Sequence, residues 1–419
     1  MRVLVTPFSA RSHLYNVVPI AWALQNAGHE VRVSCHPDEA DFAPHTGLTA
    51  VSFGKDLNIA DFMQRPDVLD GINWDIAEDD PDKLTWDYVH SVFAWYTSVL
   101  FRTVTDDETM DDAVAFAREW QPDLVLWDPL NFSGPVAARA SGAAHARMLF
   151  GLDFVVRMRR VFLDLQRQRA KHERSDPLGD WLAETLARFG CAFDEEVVTG
   201  HWSIDPLPPG MRFPIDLTYV SVRYPAFNGA SCLPRWLHEP PKKRRICLTL
   251  GLSGRELFGE DGLSISDLLA AMAELDVEVV ATLDPRQLDG VGELPDNVRV
   301  ADFIPLNALL PTCSAVIHHG GATTCGTAIE ADVPQLVVYT KVWDKAAIAE
   351  YVADNGAGFA VNSEHFTVTD LRAKLSRLLN DPSFSDGTRR VRQAQLALPT
   401  PHDIVPVMER LTARHRSRP

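Results

Sequence analysis

Two doubly wound α/β domains facing each other across a cleft are what this 419-residue sequence predicts. Three observations carry the expectation. Short apolar, β-branched runs alternate with helical patterns, which indicates parallel sheets covered on both faces. The alternation restarts near residue 245, where "RICLTLG" echoes the opening "RVLVTPF". Between the halves lies a Pro-, Gly- and polar-rich stretch of linker composition. The length also exceeds one ordinary core, so two domains of roughly 200 residues are the natural division.

Taken in order, "RVLVTPF" (2–8) reads as the first strand. "NVVPIAWALQNAGHE" (16–30) has helical spacing, with Asn16 as N-cap, Pro19 in the first turn and Gly28 just past the end. "VRVSC" (31–35), "PDLVLWD" (122–128) and "HARMLF" (145–150) follow as strands, the last two separated by the small-residue helix "GPVAARASGAA". The second half supplies "RICLTLG" (245–251), "VEVVATL" (277–283), "VRVADF" (298–303), "AVIHHGG" (315–321) and "PQLVVY" (334–339). The domains are expected at 1–223 and 245–400, joined by a linker at 224–244. A C-terminal helix within 401–419 is expected to pack back toward the first domain. The basic run 157–174 reads as a solvated helical face, and the aromatics of 85–101 fall at helical spacings typical of a core.

A formal net charge of -17 argues against nucleic-acid partners, whose phosphates would be repelled. No apolar run reaches the ~18 residues of a membrane span, and the first residues lack the shape of a signal peptide. Six scattered cysteines with no CxxC pair suggest neither zinc nor disulfides, and the expectation is a cytoplasmic protein with reduced thiols. Neither GxxxxGK[ST] nor a placed GxGxxG is present, which removes support for ATP hydrolysis and nicotinamide chemistry.

The chemistry falls on strand-end loops, where doubly wound sheets bind ligands. In "HHGGATTCGTAIEADVPQLVV", a strand ends at His318 and His319, Gly320 and Gly321 turn the chain, and Thr323 and Thr324 open a helix. Such a turn brings backbone N–H groups and a positive helix end to an anion, and His319 could add a ring N–H to a phosphate oxygen. A plain glycine turn with threonine caps fits the same letters. Gly251, Ser253 and Gly254 in "LTLGLSGRE" could add donors to the same diphosphate. Asp344, after "PQLVVY", suits sugar hydroxyls or a helix N-cap equally. In the first domain, "FSARSH" holds no glycine but offers His13, a candidate general base whose orienting carboxylate would be Asp128. The alternative for His13 is a surface loop histidine.

These residues carry a resemblance. The chain is similar to the family 1 glycosyltransferases of the GT-B fold, two Rossmann-like domains across a cleft. Among them it resembles the bacterial enzymes that attach TDP-activated deoxysugars to macrolide and anthracycline aglycones. The likeness runs nearly the whole length, through "WQPDLVLWDPLNFSGPVAA", "FDEEVVTGHWSIDPLPPGMR", "LPDNVRVADFIPLNALLPTCSAVIHHGG" and "NGAGFAV". It implies His13 as base and Asp128 as its acidic partner. It implies His319, Gly320, Gly321, Thr324 and Ser253 at the diphosphate, the backbone of Phe303 and Ile304 at the nucleotide base, and Asp344 at the donor sugar. Thr323 replaces a glycine usual in relatives, a substitution that would be strained at positive φ. Lys345 stands where a sugar-binding glutamine is common, and a deoxysugar has fewer hydroxyls to satisfy. Phe150, Trp74 and Phe93 are expected at the acceptor.

The implied reaction is inverting and metal-independent, with the TDP-sugar as co-substrate and no cofactor. A cytochrome-P450-like auxiliary protein is an implied partner, docking near helices of 60–110, and a homodimer is a further expectation. A binding-only relative is the competing reading, encouraged by Thr323 alone.

Overall fold

A computed structural model describes residues 1–69, 75–252, 263–288 and 291–417. Two compact units divide the chain: Met1–Pro206 with Arg212–Val222 and Pro399–Pro419, and Leu207–Met211 with Arg223–Leu398. The first unit holds strands β1 (Arg2–Thr6), β2 (Glu30–Cys35), β3 (Ala50–Ser52), β4 (Leu124–Trp127), β5 (Ala144–Met148), β6 (Trp202–Asp205) and β7 (Tyr219–Ser221). They form one parallel sheet in the order β3-β2-β1-β4-β5-β6-β7. The second unit holds β8 (Arg245–Thr249), β9 (Glu278–Thr282), β10 (Val298–Val300), β11 (Ala315–His318), β12 (Gln335–Tyr339) and β13 (Gly358–Asn362). These are also parallel, in the order β10-β9-β8-β11-β12-β13.

Each sheet reverses its strand order once, between β1 and β4 and between β8 and β11. Loops leaving the carboxyl ends of such a pair diverge to opposite faces and leave a crevice. The central strands are buried along nearly their whole length, which is why their sequences read as continuous apolar runs. The four strands not anticipated are β3, β6, β7 and β13. All four lie at or next to a sheet edge, and two of them have only three residues, too few for a periodic signal.

Several local expectations need correction. The first helix spans Arg11–Asn26, so Asn16 and Pro19 lie inside it and Ala10 takes the N-cap position. The basic run 157–174 is only partly solvated. Arg159, 1% exposed, donates to both oxygens of Asp176 at 2.6 Å and to Glu195 at 2.7 and 3.1 Å. Phe93 is fully buried against Phe162 and Arg159, which makes it part of the core and removes it from direct contact with an acceptor. The segment expected as a linker packs on the second unit: Tyr224 is buried, and Leu237 and Trp236 join the cluster around Val280 and Leu309. All six cysteines are unpaired thiols. Among the described residues, no helix is long and apolar enough to cross a membrane.

Three histidines of the first unit stack in series. The rings of His145 and His201 are 4.3 Å apart, and those of His201 and His415 are 4.6 Å apart. His415 belongs to the helix Val405–His415. Burial is the main cause that lowers all three below the ordinary value of 6.5; mutual repulsion and the Arg139 and Arg414 charges add to it, while Glu196 opposes it. The unfolded chain therefore binds more protons than the folded one below that value, and stability present above pH 6.5 is lost as the pH falls. We expect the urea midpoint of the first unit to drop between pH 7.5 and 5.5, with His415→Phe reducing the slope.

Candidate active site

His13 sits at the third position of the helix that leaves β1, and Asp128 directly follows β4. They meet at the switch point of the first sheet, with His13 Nδ1 2.7 Å from Asp128 Oδ2. Asp128 is 2% exposed and His13 11%. The other carboxylate oxygen accepts from the Leu130 N–H at 2.9 Å, and the Asp128 N–H pairs with the Thr6 carbonyl at 3.0 Å. The carboxylate is thus immobilised before it meets the imidazole. A carboxylate only accepts, so Nδ1 carries the proton and neutral His13 keeps its lone pair on Nε2. Phe8 and Phe150 flank the ring, with centroids at 5.0 and 4.3 Å. Asn131 draws the same loops together by donating to the Pro7 carbonyl at 2.7 Å.

The switch point of the second sheet carries the glycine turn. Gly320 has φ +93°, the only left-handed residue from His318 to Glu330. A Cβ there would lie 3.0 Å from the Lys345 carbonyl oxygen and 3.2 Å from Lys345 Cα, so backbone conformation and close approach both require glycine. Gly321 is the N-cap of the helix Ala322–Glu330, whose first turn has no acidic residue. The N–H groups of Ala322, Thr323 and Thr324 lead that helix, where no preceding turn can accept from them.

The paired histidines separate into two roles. His318 is fully buried: Nδ1 accepts from the Gly320 N–H at 3.1 Å and Nε2 donates to Gln335 Oε1 at 2.9 Å. Burial pushes it down to about 4, so it braces the turn as a neutral ring. His319 packs its ring over Gly251, where a Cβ would come within 2.4 Å of Cε1. Its Nδ1 is buried with no hydrogen-bond partner among the described residues. Burial, reinforced by Lys345 and His318, holds this imidazole neutral as well.

Thr323 occupies the second position of the helix with ordinary helical backbone, so the strain that positive φ would impose is absent. Thr323→Gly is accordingly expected to change dTDP affinity less than about threefold and to lower stability by a few tenths of a kcal/mol; titration calorimetry and urea melts check both. Thr324 is buried behind the turn. Asp344 stands at the N-cap position of the helix Lys345–Asp354, yet its side chain makes no cap bond. Lys345 Nζ reaches the Thr340 hydroxyl at 3.5 Å. The preceding Trp343 has φ +54°, a conformation that costs a bulky residue about 1 kcal/mol. Phe303 is half-buried after β10, and the Ile304 side chain is sunk among Cys247, Val280 and Leu309, leaving its backbone for any ligand contact.

Ser253 and Trp74 lie outside the described residues. The structure therefore brings together His13, Asp128 and Phe150 in one unit, and His319, Gly320, Gly321, Thr323, Thr324 and Lys345 in the other. Sequence reasoning missed Asn131, Trp343 and the buried role of Asn16. Only Asn16 left a signal, a polar residue one helical turn beyond His13 within an apolar stretch.

Two parallel α/β units, each with its polar residues at a switch point, match the GT-B class of glycosyltransferase structures. The crystal structure of glycosyltransferase VinC in complex with dTDP matches with a TM-score of 0.90 and 45% identity, covering 99% of this chain and 100% of that one. Residues 22–251 match the N-terminal domain model, and residues 266–411 the C-terminal domain model, of the erythromycin biosynthesis protein CIII-like family, and the chain belongs to that family. It is 52% identical to aclacinomycin-T 2-deoxy-L-fucose transferase of Streptomyces galilaeus, over 99% of this chain and 97% of that one. It is 44% identical to 10-deoxymethynolide desosaminyltransferase of Streptomyces venezuelae, over 100% and 99%.

Proposed function

We propose that this glycosyltransferase moves a deoxysugar from a TDP-linked donor to a hydroxyl of a polyketide aglycone, inverting the anomeric carbon without a metal ion. The observation that carries the reading is the His13–Asp128 pair, a buried carboxylate holding an imidazole with Nε2 as its basic nitrogen. His13 Nε2 takes the proton of the acceptor hydroxyl as its oxygen attacks the anomeric carbon. The bond from that carbon to the diphosphate breaks on the opposite face, and its electron pair leaves with TDP. Asp128 stabilises the imidazolium that forms.

The departing diphosphate meets the glycine turn, the leading N–H groups of the helix Ala322–Glu330, and His319, whose buried Nδ1 has no partner among the described residues. Asp344 and Lys345 take the sugar, and the backbone at Phe303 and Ile304 the thymine. The two named relatives act on deoxysugars, which supports that donor class here. The helical setting of Thr323 removes the one feature that pointed to a binding-only protein.

A panel of TDP-sugars and aglycones tests the reading, beginning with TDP-2-deoxy-L-fucose and aclacinomycin T, then TDP-desosamine and 10-deoxymethynolide. Turnover is expected to survive EDTA, and NMR of the product should show the anomeric configuration opposite to the donor's. Retention, or loss of turnover in EDTA restored by a divalent cation, would refute the mechanism. Running each reaction with and without a cytochrome-P450-like auxiliary protein tests that partner, and light scattering tests the homodimer.

A further inference from the structure

Asn16 lies one turn beyond His13 on the same side of the helix Arg11–Asn26. His13 reaches the residue that follows β4, and Asn16 reaches the residue that follows β5. Its Nδ2 donates to the Leu149 carbonyl at 2.9 Å, in a bond buried from solvent. The Leu149 N–H is itself given to the Ile204 carbonyl at 3.0 Å, so this residue is fixed on both sides. The next residue is Phe150, whose ring lies 4.3 Å from that of His13. Asp153 closes the segment, accepting from Arg147 Nη1 at 2.7 Å and from the Tyr219 hydroxyl at 2.8 Å. Arg147 is fully buried and Asp153 5% exposed.

A strand-end loop is ordinarily a mobile part of a fold. This one is clamped at both ends by buried polar side chains, and the half-buried aromatic between the clamps lies on the proposed base. We infer that Asn16 is a positioning residue for transfer. By fixing Leu149 it holds Phe150 against the His13 ring, which keeps Nε2 in one orientation and makes Phe150 an aromatic wall for an apolar aglycone. The inference rests on His13 acting as the base. It concerns the acceptor side alone, so donor binding is indifferent to Asn16.

The test uses the full chain and whichever pair of the panel is turned over. Kinetic constants for both substrates are measured for Asn16→Asp, Asn16→Ala, Phe150→Ala and the double variant Asn16→Ala/Phe150→Ala. Asn16→Asp keeps the shape but sets a carboxylate oxygen against the Leu149 carbonyl. Each Asn16 variant is expected to lose at least about tenfold in kcat/KM for the aglycone, since small misplacements of reacting groups have effects of that size. KM for the TDP-sugar and the affinity for dTDP should stay within about twofold, a split that general destabilisation would not produce. The double variant should be no worse than Phe150→Ala, because Asn16 acts through Phe150. Should Asn16→Asp fail to fold by circular dichroism, Asn16→Ala and the cycle decide. Wild-type aglycone kcat/KM in Asn16→Ala, or losses that multiply in the double variant, would overturn the inference. His13→Gln is measured alongside: if it keeps full activity, the base assignment fails on its own, whatever Asn16 does.

Discussion

His13→Gln is expected to lower kcat by about a thousandfold, roughly 4 kcal/mol in the barrier, while dTDP affinity stays at its wild-type value. Glutamine is the informative replacement because its amide can still donate to Asp128. Alanine would leave a carboxylate that is 2% exposed without its partner, and folding losses would then mix with catalytic ones. Asp128→Asn should fall between about a hundredfold and ten-thousandfold. An asparagine amide can present a donor to His13 Nδ1, which would place the imidazole proton on Nε2 and remove the base without moving the ring. With the nucleotide on the second unit as proposed, calorimetry with dTDP separates lost chemistry from lost structure. A joint loss of kcat and dTDP affinity would mean that His13 is structural.

The second large effect is expected at Gly320. Gly320→Ala adds a Cβ 3.0 Å from one backbone atom of Lys345 and 3.2 Å from another, on a residue already at φ +93°. Neither neighbour is a flexible side-chain end that could swing aside. The left-handed conformation adds roughly 1–2 kcal/mol for a residue with a Cβ. The turn relieves this only by moving His319 and the leading N–H groups of the next helix together. The dTDP affinity should therefore fall by tenfold or more, about 1.4 kcal/mol per decade, and KM for the TDP-sugar should rise in step. The aglycone-side effects of Phe150 variants should persist unchanged in this background. Unchanged dTDP affinity would show that the turn does not hold the diphosphate.

Much of this site was legible because it depends on local order. A strand followed by "FSARSH", and another followed by "HHGGATT", place His13 and the glycine turn at strand ends whatever the rest of the chain does. The partners were harder. Asp128 is 115 residues from His13, and Leu149 is 133 residues from Asn16. Asp128 could be proposed because it ends an obvious strand. Asn16 resembled an N-cap because an Asn before an apolar run usually is one. The helix starts five residues earlier, and the long-range bond to Leu149 was invisible to local pattern. Arg159 and Phe93 failed for a related reason: periodicity marks a helix but does not say which charged face meets two carboxylates, or which aromatic faces inward. The positive φ of Trp343 left no trace in composition.

The most direct measurement of the central claim is mass spectrometry of the aglycone after incubation with the full chain and a TDP-deoxysugar. The account predicts that the aglycone gains the mass of the sugar less one water, with one TDP released per product, and that His13→Gln slows the gain about a thousandfold while still binding dTDP. An aglycone of unchanged mass across the panel, auxiliary protein included, from a wild-type chain that binds both dTDP and aglycone would contradict it.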